Sequence, residues 1–111
     1  MSEGVSAVIN YIENNITENL SLPQMAGIAR MPVETFRKRF TAETGMPPAQ
    51  YAMKKKVMYS KELLVNRQLT IKEVSNLVGI DDPYYYSRVF KKSEGVSPDL
   101  FRKSFYPELF D

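Results

Sequence analysis

An all-α fold built from two copies of one helical unit is what this chain of 111 residues predicts, and three observations carry that expectation. Apolar residues recur at three- and four-residue spacing, and no stretch shows the strict alternation of a half-buried strand. One stretch is echoed: Phe36, Lys38, Phe40 and Gly45 stand fifty residues before Tyr86, Arg88, Phe90 and Gly95. A fixed internal period of this kind marks a supersecondary unit used twice. Two capping boxes, Ser21-Leu22-Pro23-Gln24 and Thr70-Ile71-Lys72-Glu73, open a short helix ahead of each repeated stretch.

The elements follow in order. Val5, Val8, Ile9, Ile12 and Ile16 form one apolar stripe, predicting an amphipathic helix over 5–16. The first capping box starts a short helix with Leu22, Met25, Ala26 and Ile28 inward, and Arg30-Met31-Pro32 breaks it. A helix over 33–44 buries Phe36 and Phe40, one turn apart, and ends at Gly45, a natural left-handed residue. Pro47-Pro48 starts a long helix to about 66, with Tyr51, Val57, Met58, Leu63, Leu64 and Val65 as its apolar positions. Some 20 residues at about 1.5 Å each span about 30 Å. The second capping box places Ile71, Val74, Leu77 and Val78 inward, with Gly79 as terminator. Asp82-Pro83 opens the next helix with an aspartate N-cap and proline at its first position. Ser97-Pro98 caps a last short helix carrying Leu100 and Phe101. The expected divisions are a first subdomain over 1–46, a linker helix over 47–67, a second subdomain over 68–104 and a tail over 105–111.

Composition excludes several classes of function. The chain has no cysteine, so it holds no disulfide and no thiolate zinc site, and no histidine, the commonest metal ligand and general base. Its carboxylates lack the paired spacing of an acid–base site and it has no glycine-rich phosphate loop, so an enzyme is not expected, nor a cofactor. No apolar run nears the roughly 20 residues of a membrane span, and Met1-Ser2-Glu3-Gly4 does not start a signal peptide. The expectation is a cytoplasmic protein with no membrane partner. Its net charge of +2 is unevenly spread. Residues 1–29 carry Glu3, Glu13 and Glu18 alone, whereas 30–61 carry eight basic and two acidic residues. A polyanionic partner would account for that concentration.

Each half thus has a short helix, a tight turn and a longer helix carrying basic and polar groups, the layout in which the second helix enters a DNA major groove. Leu22, Met25, Ala26 and Arg30 match Ile71, Val74, Ser75 and Gly79 at an offset of 49, so the second turn is one residue longer. With Phe36, Phe40, Tyr86 and Phe90 as buried edges, the outward positions are Glu34, Arg37, Lys38 and Thr41 in one helix and Pro83, Tyr84, Ser87, Arg88 and Lys91 in the other. Arginine bridges guanine O6 and N7, making Arg37 and Arg88 the leading base readers, joined by Glu34, Lys38, Pro83, Tyr84 and Ser87. Arg39, Thr41, Lys54, Lys55, Lys56, Lys91 and Lys92 are assigned to phosphates, which supply affinity without sequence information. The long helix approaches the ~34 Å of one DNA turn, matching two units set in consecutive grooves.

The chain resembles the AraC/XylS family of bacterial transcription regulators over residues 5–103. The run from Gly79 to Pro98, with Asp82-Pro83-Tyr84-Tyr85-Tyr86-Ser87-Arg88-Val89-Phe90-Lys91-Lys92 inside it, is the most specific part. Leu63-Leu64, Ile71, Glu73 and the Phe40 and Gly45 pair also stand where that family has them. The resemblance implies seven helices, two helix-turn-helix subdomains joined by a long linker helix, promoter binding on double-stranded DNA and recruitment of RNA polymerase; the expected role is that of an activator. A monomer as an isolated domain with no small-molecule ligand is expected here; members of that family usually carry a separate sensing or dimerising domain, though some consist of the DNA-binding part alone.

Four residues depart from the family pattern. Ile80 replaces a phenylalanine, Pro32 a capping serine worth ~1 kcal/mol, and Arg30 a turn glycine. Glu34 would repel phosphate yet can accept from cytosine N4. Tyr84 to Tyr86 also admit a base-stacking role as in single-strand binders. The rival reading is a small all-α interaction module whose basic surface meets an acidic protein.

Overall fold

The computed structural model describes residues 1–106, so residues 107–111 of the expected tail lie outside the described residues. Among the described residues there are seven helices: α1 (Glu3–Asn14), α2 (Leu22–Ala29), α3 (Val33–Thr44), α4 (Pro48–Leu64), α5 (Ile71–Leu77), α6 (Pro83–Glu94) and α7 (Pro98–Lys103). Their boundaries come from local chemistry. Ser21 and Thr70 each accept from the backbone three residues on, while Gln24 and Glu73 reach back to the cap amide. Asp82 accepts from the Tyr84 amide and Ser97 from that of Leu100. Gly45 and Gly95 close α3 and α6, both at φ 85°.

The chain divides into two compact units, one of residues 1–55 and one from Lys56 onward. The division falls inside α4, whereas the expected divisions lay on either side of it. The first turns of α4 belong to the first unit, where Tyr51 meets Phe40 edge-on at 5.2 Å. Its later turns supply core to the second.

In the first unit Val5, Val8 and Ile12 of α1, Met25, Ala26 and Ala29 of α2, and Phe36 and Phe40 of α3 form one buried cluster. The turn between α2 and α3 is held by Met31 N–H donating to Ala26 O at 3.0 Å. Arg30 takes φ 57°, the left-handed conformation its position anticipates. Pro32 gives α3 no side-chain cap, as expected of that departure.

In the second unit Val57 and Leu64 of α4, Val74 and Val78, Ile80, and Tyr86 and Phe90 of α6 are buried. Its turn repeats the first, with Ile80 N–H donating to Ser75 O at 2.9 Å and Gly79 at φ 81°. The Ser75 hydroxyl donates back to Ile80 O. Arg102 of α7 donates to Leu64 O at 2.8 Å, tying α7 to the end of α4.

Several apolar positions face outward instead of inward. Leu77 is 46% exposed. At about 100° per residue it lies some 60° from Val74, beyond the arc spanned by Val74, Val78 and Ser75. Met58, placed with the apolar face of α4, is exposed for the same reason, because it lies outside the buried arc of Val57, Ser60 and Leu64; Val65 follows the last residue of α4 and is exposed too. Leu100 of α7 is also exposed.

Candidate nucleic-acid interface

Each longer helix is anchored by an aromatic pair. Phe36 and Phe40 are fully buried with ring centroids 5.5 Å apart, and Tyr86 and Phe90 repeat this at 5.9 Å. Residues four apart lie on one face of a helix, so the buried pairs oblige the opposite faces of α3 and α6 to meet solvent.

On α3 that outward face carries Glu34, Arg37 and Lys38, with Arg39 beside them, all exposed. Arg37 and Glu34 are not independent. Arg37 Nε donates to Glu34 Oε1 at 3.0 Å and Nη2 to Oε2 at 2.9 Å, a two-pronged ion pair one turn apart. The guanidinium holds the Glu34 carboxyl below its ordinary pKa, and the carboxylate raises that of Arg37 in return. Thr41 is half-buried and its hydroxyl donates to Arg37 O at 2.9 Å, so it is already engaged by its own helix.

On α6 the outward face is differently built. Tyr84 is 78% exposed, the most exposed aromatic of the described residues. Pro83 and Ser87 are half-buried, and Arg88, Lys91 and Lys92 are exposed. The Arg88 guanidinium lies 5.9 Å from the centre of the Tyr85 ring, a cation–π contact, and makes no ion pair among the described residues. Tyr85 is exposed and so lies on the same open surface of α6 as Arg88. The two stand three residues apart, the spacing at which side chains on one helix face meet.

The three consecutive lysines of α4 have three different fates. Lys54 is exposed. Lys55 is half-buried, 3.4 Å from Glu13 and 5.4 Å from the centre of the Tyr51 ring. Lys56 is 3% exposed, and its ammonium donates to Val78 O at 3.0 Å inside the second unit. Lys56 is therefore withdrawn from the phosphate-contacting set, because a buried ammonium cannot reach a duplex. Three neighbours on a helix point about 100° apart, so one of three must turn inward when the face behind them is covered.

Among the described residues no group of three or more acidic, cysteine or histidine residues stands close enough to hold a metal ion, and no helix is long and apolar enough to cross a membrane. The exposed surfaces of α3 and α6 therefore offer hydrogen-bond donors, positive charge and aromatic edges: the equipment for binding a polyanion with readable edges.

Comparisons with known proteins agree. A family described as "Helix-turn-helix domain" matches residues 25–104. The chain is 32% identical over 93 residues to the MmsAB operon regulatory protein of Pseudomonas aeruginosa, covering 84% of this chain and 30% of that protein. It is 29% identical over 102 residues to the bifunctional transcriptional activator/DNA repair enzyme AdaA of Bacillus subtilis, covering 92% of this chain and 48% of AdaA. This chain spans 30%, 38% and 33% of the length of three curated relatives. Among solved structures, the DNA-binding domain of AdpA in complex with a target DNA superposes with a TM-score of 0.87 at 25% identity, covering 96% of this chain and 98% of that one. The C-terminal domain of AraT, a response regulator from Geobacillus stearothermophilus, gives 0.86 at 28% identity, covering 93% and 86%.

Proposed function

The chain belongs to the AraC/XylS family of helix-turn-helix transcription regulators, and from that premise we propose that α3 and α6 are two recognition helices that enter successive major grooves of promoter DNA. The observation that carries this reading is the repeated geometry. Each helix buries an aromatic pair on one edge and turns arginine and lysine outward on the other. The DNA held by the AdpA domain supports a duplex as the partner.

On α6, Arg88 is the principal base reader, with Tyr84, Ser87 and Pro83 beside it, and Lys91 and Lys92 take phosphates. On α3, Arg37 and Glu34 act as one paired reader with Lys38 alongside. Arg39, Thr41, Lys54 and Lys55 supply phosphate contacts, Lys55 after leaving Glu13. The chain contributes binding and no chemistry of its own, works in the cytoplasm, binds as a monomer and recruits RNA polymerase to activate transcription.

Selection of binding sites from random duplexes tests the reading. A defined motif, a footprint longer than one helical turn and an affinity that falls steeply with salt are the expected results. Equal binding to selected and random duplexes would remove sequence reading, and a footprint under one turn would remove the second groove. Transcription in vitro with purified polymerase on the selected site should rise when the chain is added. No change would withdraw the polymerase contact.

A further inference from the structure

The internal repeat allows the two turns to be compared residue by residue, and they are locked differently. Ala29 ends α2 just as Val78 caps α5, 49 residues later, each followed by a left-handed residue, Arg30 or Gly79. In both units the carbonyl at this place is an end-of-helix acceptor at the negative end of the helix dipole. In both, it is approached by the helix that packs behind the turn. Val5, Val8 and Ile12 of α1 are buried with the same spacing as Val57, Ser60 and Leu64 of α4, so Gly4 and Lys56 occupy matching positions.

At that position the first unit has no side chain at all. A Cβ added to Gly4 would stand 2.6 Å from Ala29 O and 2.7 Å from the Met31 side chain, so backbone meets backbone with no room to spare. The second unit has a lysine, whose four-carbon stem runs through the core to place Nζ 3.0 Å from Val78 O. Burying an ammonium is unfavourable unless it is hydrogen-bonded, so this one is held where the carbonyl is.

We propose that Lys56 is a positioning residue for sequence recognition: its buried ammonium pins the turn between α5 and α6 through the Val78 carbonyl, and so sets where α6 presents Arg88 and Tyr84. The inference rests on the reading of α6 as a recognition helix. The geometry behind it is a short chain of restraints. Lys56 holds Val78 O, Ser75 holds both the amide and the carbonyl of Ile80, and Asp82 then starts α6. Only four residues separate Val78 from the first helical residue of α6. A shift of the turn therefore passes into the N-terminal end of α6, where the base readers stand.

The test is Lys56→Met, which keeps the stem and removes the donor, measured for two quantities in the whole chain. The ratio of affinities for a selected site and a scrambled duplex is expected to fall about tenfold. The slope of log affinity against log salt is expected to stay unchanged, because no phosphate contact is lost. A slope flattened by about one unit with the ratio preserved would make Lys56 a phosphate ligand and overturn the proposal. A lowered melting temperature with both quantities preserved would overturn it too, leaving Lys56 a core residue only. If Lys56→Met does not fold, Lys56→Gln, with a shorter donor, is judged by the same two quantities. A wild-type chain that shows no preference for any selected site would instead overturn the recognition-helix reading, and this inference with it.

Discussion

Glu34 grips the Arg37 guanidinium through two parallel contacts of 3.0 and 2.9 Å, while fifty-one residues further along the chain Arg88 makes no ion pair among the described residues and lies over Tyr85. The two proposed readers therefore start from different states. Arg37 must keep or leave a carboxylate when it meets DNA, and Arg88 need break no ion pair. Exposed pairs of this kind are weak, so the carboxylate directs the guanidinium more than it stabilises the fold.

Glu34→Gln should loosen Arg37 and remove a negative charge from the face turned to DNA. Binding to random duplexes is expected to strengthen, with a salt slope steeper by up to about one unit, while preference at the base pairs under α3 declines. Titration of selected and scrambled duplexes over a range of salt measures both. Unchanged values in both would mean that α3 does not approach the groove by this face.

Arg88→Ala should weaken the selected site by about 1–3 kcal/mol and relax the preference at one base pair. Competition with single-position variants of the site reads it out. Equal losses on selected and random duplexes would reassign Arg88 to phosphate.

Arg30→Gly should stabilise the first unit. A non-glycine residue in the left-handed region costs about 1–2 kcal/mol, partly offset by the extra freedom glycine has when unfolded, so a net gain of about 0.5–1 kcal/mol is expected. Urea denaturation would show it as a higher midpoint at constant slope. A lower midpoint would mean that the Arg30 side chain contributes more than its backbone strain removes.

Tyr86→Phe should alter the alkaline limb of the stability curve. The Tyr86 hydroxyl is buried with no hydrogen bond of good geometry among the described residues, and burial pushes its pKa from 10.0 up to about 12, with the nearby Ser60 hydroxyl and the charge of Arg102 drawing it partly back. The proton is held more tightly in the folded chain. The contribution is therefore present in full below pH 10 and is lost as pH rises through about 12, at up to about 1.4 kcal/mol per pH unit. The phenylalanine variant should lose less stability than wild type over that window, while removal of an unsatisfied hydroxyl leaves it at least as stable at neutral pH. Parallel urea titrations at pH 8 and pH 11 compare them. Equal losses in the two proteins would refute the assignment.

Most of the fold was legible in the residues, because helix ends are written in short-range chemistry. Ser21, Thr70, Asp82 and Ser97 each accept a hydrogen bond from an amide two or three residues on, a relation that needs no distant part of the chain. The aromatic pairs at 36/40 and 86/90 name their own buried face by spacing, and the opposite face follows from them. The Glu34 and Arg37 pair was equally within reach, being three residues apart on one helix. The exposure of Leu77 and Met58 was harder to anticipate. Apolar identity says that a side chain gains from burial, but only the width of the face covered by neighbours says whether it is buried.

By itself, then, the sequence determined the two helix-turn-helix units, their caps, their repeat and the faces that carry Arg37 and Arg88. Tertiary structure alone decided which lysine of Lys54, Lys55 and Lys56 serves which end. Three like side chains in a row have the same local chemistry. Their fates diverge only because Lys54 meets solvent, Lys55 meets Glu13 across 42 residues, and Lys56 finds the Val78 carbonyl across 22.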